Sequence, residues 1–397
     1  MPEVDVDLEL SNEDIEELID NIPPITDQQI EEAFQNISFR VIYQTNSFLL
    51  PQIKDLIEGR EVINVRPEYQ RRSRWSPKKK SQLIESLLLN VPIPPVYFYE
   101  SELARYEVMD GQQRMNAVFE FLTNSFALTG LEKLLFLNRK RHRDLPPRVK
   151  RSLDRATLSA VVLLQESRSD DADPYVIRRY VFEKLNTGGE KLNAQELRNS
   201  LYRSEFNNSI VRLARNSTFC NIFGIPAYTG VDEDPNYVNK ERERNQMYKT
   251  MADCQAVLRV FALLSDEYIS GSMKKILDRC MERNLLKTLE ELEILEENFV
   301  NVIKTSASFF NGQPFLLPPN ENGRQRVSIG YFDAVMVAVW RRITSLEGMK
   351  ENAAQIAANL DAALVTDLEA LTGKANTATA IKERINVAGK AIDAAIR

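Results

Sequence analysis

Between about Phe39 and Ser200 the chain alternates short apolar runs with stretches of helical period, the pattern of an α+β domain. "VINV" (62–65), "PIPPVYFYE" (92–100) and "RYEVMD" (105–110) read as strands, and "DRATLSAVVLLQE" (154–166) ends in another. Ser76 followed by Pro77 has the form of an N-cap and a first helical position. Leu83, Ile84, Leu87 and Leu88 then share one helical face. A second helix is predicted from Gln112 to about Thr123, with Met115, Val118, Phe119 and Leu122 inward. A third covers 173–185, with Ile177, Tyr180, Val181 and Leu185 on one stripe. After "NTGG" (186–189), Asn193 with Glu196 forms a capping box that opens a further helix. Beyond residue 204 the periods are long and helical, as in "MADCQAVLRVFALLSDEY" and "GYFDAVMVAVWRRI". No heptad run or internal repeat accompanies them. The expected organisation is a mobile leader (1–38), an α+β domain (39–203) and an all-α domain (204–397).

Charge divides the chain differently. Residues 1–39 hold twelve of the 57 acids and no Lys or Arg, which leaves 45 acids against 51 bases, a net of about +6 for the remainder. The leader is therefore either a solubilising arm or an intramolecular mimic of nucleic acid covering a basic groove. Neither a signal peptide nor an apolar run of about 18 residues is found, so no membrane association is expected. Cys220, Cys254 and Cys280 are widely spaced and lack CxxC geometry, which predicts buried free thiols and fits a reducing cytoplasm. The single histidine, His142 in "RKRHRDLPP", reads as a surface residue. Zincins, Ser-His-Asp hydrolases and HNH nucleases all need histidine, usually with at least one further ligand or base.

Candidate chemistry gathers in three stretches. In "DGQQR", Asp110 ends a strand, Gly111 permits a tight turn, and the following amides open a helix whose positive end suits an anion. Arg114, one turn in, adds a charged donor, and Gln112 and Gln113 can read hydroxyl or base edges. A carboxylate at Asp110 would repel a triphosphate unless Mg²⁺ lay between them, so Asp110 reads as a metal-side residue or an activator of water. Upstream, "VRPEYQRRSRWSPKKK" (65–80) sets seven bases against Glu68, with Tyr69 and Trp75 interleaved as where bases or sugars stack beside phosphates. A second basic run, "RKRHRDLPPRVKR" (139–151), could extend that surface. In "FEKLNTGGEKLNAQELRN" (182–199), Asn186, Thr187, Gly188 and Gly189 suit phosphate or ribose contacts, and Glu183 one turn earlier could hold Mg²⁺. Each stretch also has a plain structural reading: a capped turn, a solvated basic loop, a helix–helix connection.

In this order, "PEYQR", "MDGQQR" and "FEKLNTGGEKLNAQELRN" resemble the GmrSD-type restriction endonuclease N-terminal domain family, most strongly over about 45–200. The resemblance implies a ParB/sulfiredoxin-like mixed-sheet fold, with the all-α part as the extension of stand-alone members. It implies a nucleoside triphosphate site formed by Gln70, Arg71, Gly111, Gln112, Gln113 and Arg114, with Asp110 and Asn186 beside it. Asp110, Arg71 and Arg114 would then be the catalytic groups. The implied role is an NTP-dependent sensor or regulator in defence against foreign or modified DNA, with DNA as a partner. Full-length members add an HNH nuclease domain, which this chain's helical part cannot supply because it lacks histidine. A partner nuclease or toxin chain docked on the helical part, or a homo-oligomer, follows as an expectation. The competing functions are a Mg²⁺-dependent nicking endonuclease using Asp110 and Glu183, and a non-catalytic scaffold.

Overall fold

The computed structural model describes residues 3–5, 26–35, 41–58, 62–64, 75–164, 166–167, 174–185, 193–202, 204–233, 239–310, 314–319, 325–372 and 377–396. They form two compact units, Asn12–Leu192 and Asn193–Arg397, the latter grouped with Met1–Ser11.

In the first unit, α1 (Asp27–Gln35) precedes β1 (Tyr43–Leu49), α2 (Leu50–Glu58), β2 (Ile63–Asn64) and α3 (Pro77–Leu88). Then come β3 (Val96–Glu102), β4 (Arg105–Asp110), α4 (Gln112–Leu122), α5 (Pro147–Asp154), β5 (Thr157–Leu163) and α6 (Pro174–Leu185). The strands make one five-stranded mixed sheet in the order β1–β5–β3–β4–β2. β1/β5 and β3/β4 pair antiparallel, whereas β3/β5 and β2/β4 pair parallel. β3 is central, and Val96, Phe98 and Glu100 on one side of it are buried. Neighbouring strand residues point to opposite faces, so Phe98 and Val108 enter the core with Met115, Val118 and Phe121, while Tyr99 and Glu107 face the other way. Ser76 caps α3 by accepting the Lys79 N–H at 3.3 Å, with Pro77 at the first position, as its sequence predicts.

Two expectations are corrected. Tyr180, predicted inward on α6, is 49% exposed, and Arg178 and Phe182 are buried instead, because the helix turns Arg178 toward the sheet. His142, predicted on the surface, is half-buried with its ring edge-on to Phe121 at 5.9 Å. Burial and the nearby Lys150 hold its imidazole below the usual histidine range.

Glu85 has no counterpart in the sequence reading. It is 6% exposed, and its carboxylate accepts the backbone N–H groups of Glu132, Lys133 and Leu134 at 2.7–3.1 Å. Burial opposes ionisation, but these amides outweigh it and hold the carboxyl below its ordinary range. Glu85→Ala is expected to destabilise the unit by about 2–4 kcal/mol, because buried amides lose a charged acceptor. The lowered pKa fixes the sign. The contribution is complete above the unfolded pKa of about 4.3 and disappears as pH falls through the folded value. Urea titrations between neutral and acid pH check this, and Glu85→Gln should abolish that part of the pH dependence.

The second unit is helical, as expected. It contains α7 (Ala194–Leu201), α8 (Glu205–Ala214), α9 (Ala252–Ala262), α10 (Met273–Arg283) and α11 (Leu289–Ser308), with shorter helices between them. α12 (Ile329–Trp340), α13 (Ala353–Thr366) and α14 (Ala378–Ile396) complete it, and Glu3–Asp5 pairs in parallel with Arg326–Ser328. Asn193 caps α7 in the predicted box with Glu196. α12 is buried from Tyr331 through Val339 and packs on α14 by a reciprocal device. Gly330 of α12 leaves room for Arg384, whose Nη1 would stand 2.8 Å from an added Cβ. Gly389 of α14 does the same for Arg342 Nη2 at 2.8 Å. All three cysteines are free and buried, and burial pushes the Cys280 thiol up to about 12, so it is inert. No helix among the described residues is long and apolar enough to cross a membrane.

Candidate functional site

β4 ends at Asp110, and the chain turns into α4 through Gly111, the N-cap, with φ +91°. An added Cβ would sit 2.5 Å from Val96 Cγ1 and 2.9 Å from Arg114 Nη2. Backbone conformation and close packing thus both demand glycine at this corner. A glycine N-cap has no side chain of its own to bond the first turn at the positive end of α4.

Arg114 lies one turn into α4 and folds back over this corner. Its Nη2 donates to Asp110 Oδ2 at 2.8 Å and to the Pro95 carbonyl at 3.0 Å. Its Nε is buried and has no hydrogen-bond partner among the described residues. The Asp110 side chain is 50% exposed against 16% for Arg114, so the pair presents its carboxylate to solvent. Gln113 is turned inward: it is 5% exposed, and its Oε1 accepts the Trp75 N–H at 3.1 Å. Trp75 packs against the core, with the Lys79 ammonium 4.8 Å from its ring. Gln113 therefore braces the corner, and Gln112 beside it is half-buried.

Both ends of the first basic segment are fastened here. Asn64 pairs with Glu107 on β4, and Trp75 is held by Gln113. The segment between them carries Gln70 and Arg71, which lie outside the described residues. The third stretch approaches through α6. Arg178 bonds Glu107 Oε2 through Nη2 at 2.6 Å, and its guanidinium lies 5.1 Å from the Tyr99 ring centroid. This docks α6 on β4, three residues before Asp110. Glu183 is on α6, but its side chain is not described, and Asn186, Thr187 and Gly188 lie outside the described residues.

Glu107 and Arg178 escaped the sequence reading, although one signal for Glu107 was present. It is a charge on the face of β4 opposite Val108, where a strand covered on both sides needs a partner. No group of three or more His, Cys, Asp or Glu that could hold a metal occurs among the described residues, so Asp110 offers a single carboxylate.

Residues 53–203 match the family model described as the GmrSD restriction endonuclease, N-terminal domain. This stretch is a GmrSD-type domain. It contains α6 and α7 and every residue of the corner, and the family it matches is one of restriction-type systems. No curated protein and no solved structure matches the chain.

Proposed function

We propose that the GmrSD-type domain binds a nucleoside triphosphate at the Gly111 corner and hydrolyses it with Mg²⁺, as the sensing part of a system that acts on foreign or modified DNA. The observation that carries this reading is the corner itself. A helix N-terminus opened by a glycine N-cap stands beside the Asp110–Arg114 pair, whose carboxylate is half-exposed, between the two fixed ends of the segment bearing Gln70 and Arg71.

The residues present fit such a ligand. The α4 dipole favours phosphate, and the Arg114 guanidinium lies over the same turn, held there by Asp110 and the Pro95 carbonyl. Arg114 exchanges its Asp110 contact for a phosphate oxygen, and Arg71 supplies the second guanidinium. Gln70 and the amides after Gly111 line the polyphosphate, with Gln113 keeping the turn rigid. Asn186, Thr187 and Gly188 reach the nucleotide from the end of α6. Mg²⁺, when bound, neutralises charge on the phosphates and lowers the pKa of its water. Asp110 would hold that cation or orient the attacking water, and Glu183, from the third stretch, would be a second carboxylate. One carboxylate from the described residues suffices, since Mg²⁺ is commonly held by one or two carboxylates plus the substrate's phosphates.

The test is calorimetric titration of the full chain with each of ATP, GTP, CTP and UTP in Mg²⁺, followed by phosphate release. At least one nucleotide is expected to bind and turn over. Silence with all of them would remove the reading.

A further inference from the structure

One surface feature of the first unit is unused by that site. Leu135 and Phe136 are 64% and 71% exposed, although Leu131, Leu137 and Leu145 around them are each 4% exposed. The tip that carries them is braced rather than loose. Glu85 clasps the amides just before it, and the Asn138 side chain donates to the Leu135 carbonyl at 3.0 Å. After the tip, Arg139 takes φ +67° and its N–H bonds the Leu128 carbonyl at 2.7 Å. Two large apolar side chains are thus held out in water by a built turn.

Their surroundings are basic. Residues 133–151 carry eight Lys or Arg against one acid, Asp144, which pairs with Arg143 at 3.7 Å. Lys133, Arg139, Lys140, Arg148 and Arg151 are exposed, and none makes an ion pair among the described residues. An adjacent exposed apolar pair inside a basic rim marks an interaction surface. Phe and Leu wedges between base steps, with flanking cations on phosphates, are how proteins enter and kink a minor groove.

We infer that the Leu135–Phe136 tip is a DNA wedge: the two side chains insert at a base step while Lys133, Arg139 and Lys140 hold the flanking phosphates. Arg148 and Arg151, one turn apart on α5, add two exposed cations available to a duplex backbone. A bilayer would favour Trp or Tyr among the bases, and the tip has neither. The inference rests on the DNA part of the proposed function and is independent of the nucleotide site.

The experiment uses the full chain and a duplex of about 30 base pairs carrying an aminopurine reporter of unstacking, over a salt series. Wild type is expected to bind with a rise in reporter fluorescence. The double variant Leu135→Ser/Phe136→Ser should bind about tenfold more weakly, with no rise and an unchanged salt slope. Phe136→Trp should keep the rise. Lys133→Gln, Arg139→Gln and Lys140→Gln should each keep the rise and lower the slope by about one. Thermal unfolding of every variant confirms that the exposed positions leave the fold intact. Wild-type binding with a rise that persists in the double Ser variant would overturn the wedge alone. Failure of wild type to bind any duplex would overturn the wedge together with the DNA reading. Tip-dependent sedimentation with vesicles of equal parts phosphatidylserine and phosphatidylcholine, with DNA binding unaffected by the tip, would assign it to membranes instead.

Discussion

Replacing Asp333 with alanine is expected to destabilise the helical unit by about 3–5 kcal/mol, the cost of leaving buried charge uncompensated. Asp333 is 1% exposed on α12. Arg259 of α9 donates Nε to its Oδ2 at 2.7 Å, and Nη2 bonds the same oxygen. Arg259 and Arg384 are themselves 6% and 3% exposed, so the carboxylate is the counter-charge for two guanidiniums out of water. Burial pushes the Asp333 carboxyl up, and Arg259 draws it back; burial likewise pushes Arg384 down.

Volume and charge can be separated here. Asp333→Asn keeps the shape and should still lose most of the stability in urea titrations. Arg259→Met and Arg384→Met combined with Asp333→Leu should recover a large part of it, because an apolar cluster of similar volume avoids desolvation of the buried charges. An Asp333→Asn protein within about 0.5 kcal/mol of wild type would mean that apolar packing, not the ion cluster, sets the register of α9, α12 and α14.

The parts of this protein that were legible in its sequence are those set by neighbours along the chain. Ser76–Pro77 and Asn193–Glu196 specify their helix starts within one turn, and "RYEVMD" becomes a strand with the predicted bounds. Gly111 could be read as a turn glycine, but the atoms that exclude any other residue, Val96 Cγ1 and Arg114 Nη2, belong to the folded corner. Contacts between distant segments were not legible. Glu85 looks like a solvated acid in an amphipathic helix, and its partners are backbone amides 47 to 49 residues away. Tyr180 fits an inward stripe by period alone; the pairing of Arg178 with Glu107, 71 residues apart, rotates the helix otherwise. Asp333 sits in an apolar run, and nothing near it in sequence shows that Arg259 and Arg384 arrive from other helices. Local grammar thus located the corner, and tertiary partners decided which of its side chains brace it and which face outward.

That division between bracing and outward groups leads to the largest expected effect on activity. With the nucleotide found by titration, Arg114→Ala is expected to lower the rate of phosphate release by about 10²–10³-fold, the usual loss when one charged donor to a transition state is removed. Its affinity for the nucleotide should fall as well, since the same guanidinium meets the ground-state phosphates. Asp110→Asn should behave differently. The half-exposed carboxylate restrains Arg114 in the structure, and its removal both frees that guanidinium and takes away the group proposed to face metal or water. Binding should therefore be kept within about threefold while turnover falls by a similar 10²-fold or more, separating kcat from KM. Gln113→Ala, which cuts the tether to Trp75, should weaken both modestly by loosening the turn. The outcome that would sink this assignment is specific: Arg114→Ala and Asp110→Asn proteins, folded by thermal melting, that release phosphate at the wild-type rate. Arg114 would then be a structural strut on the Pro95 carbonyl, and any hydrolysis would have to be sought elsewhere in the domain.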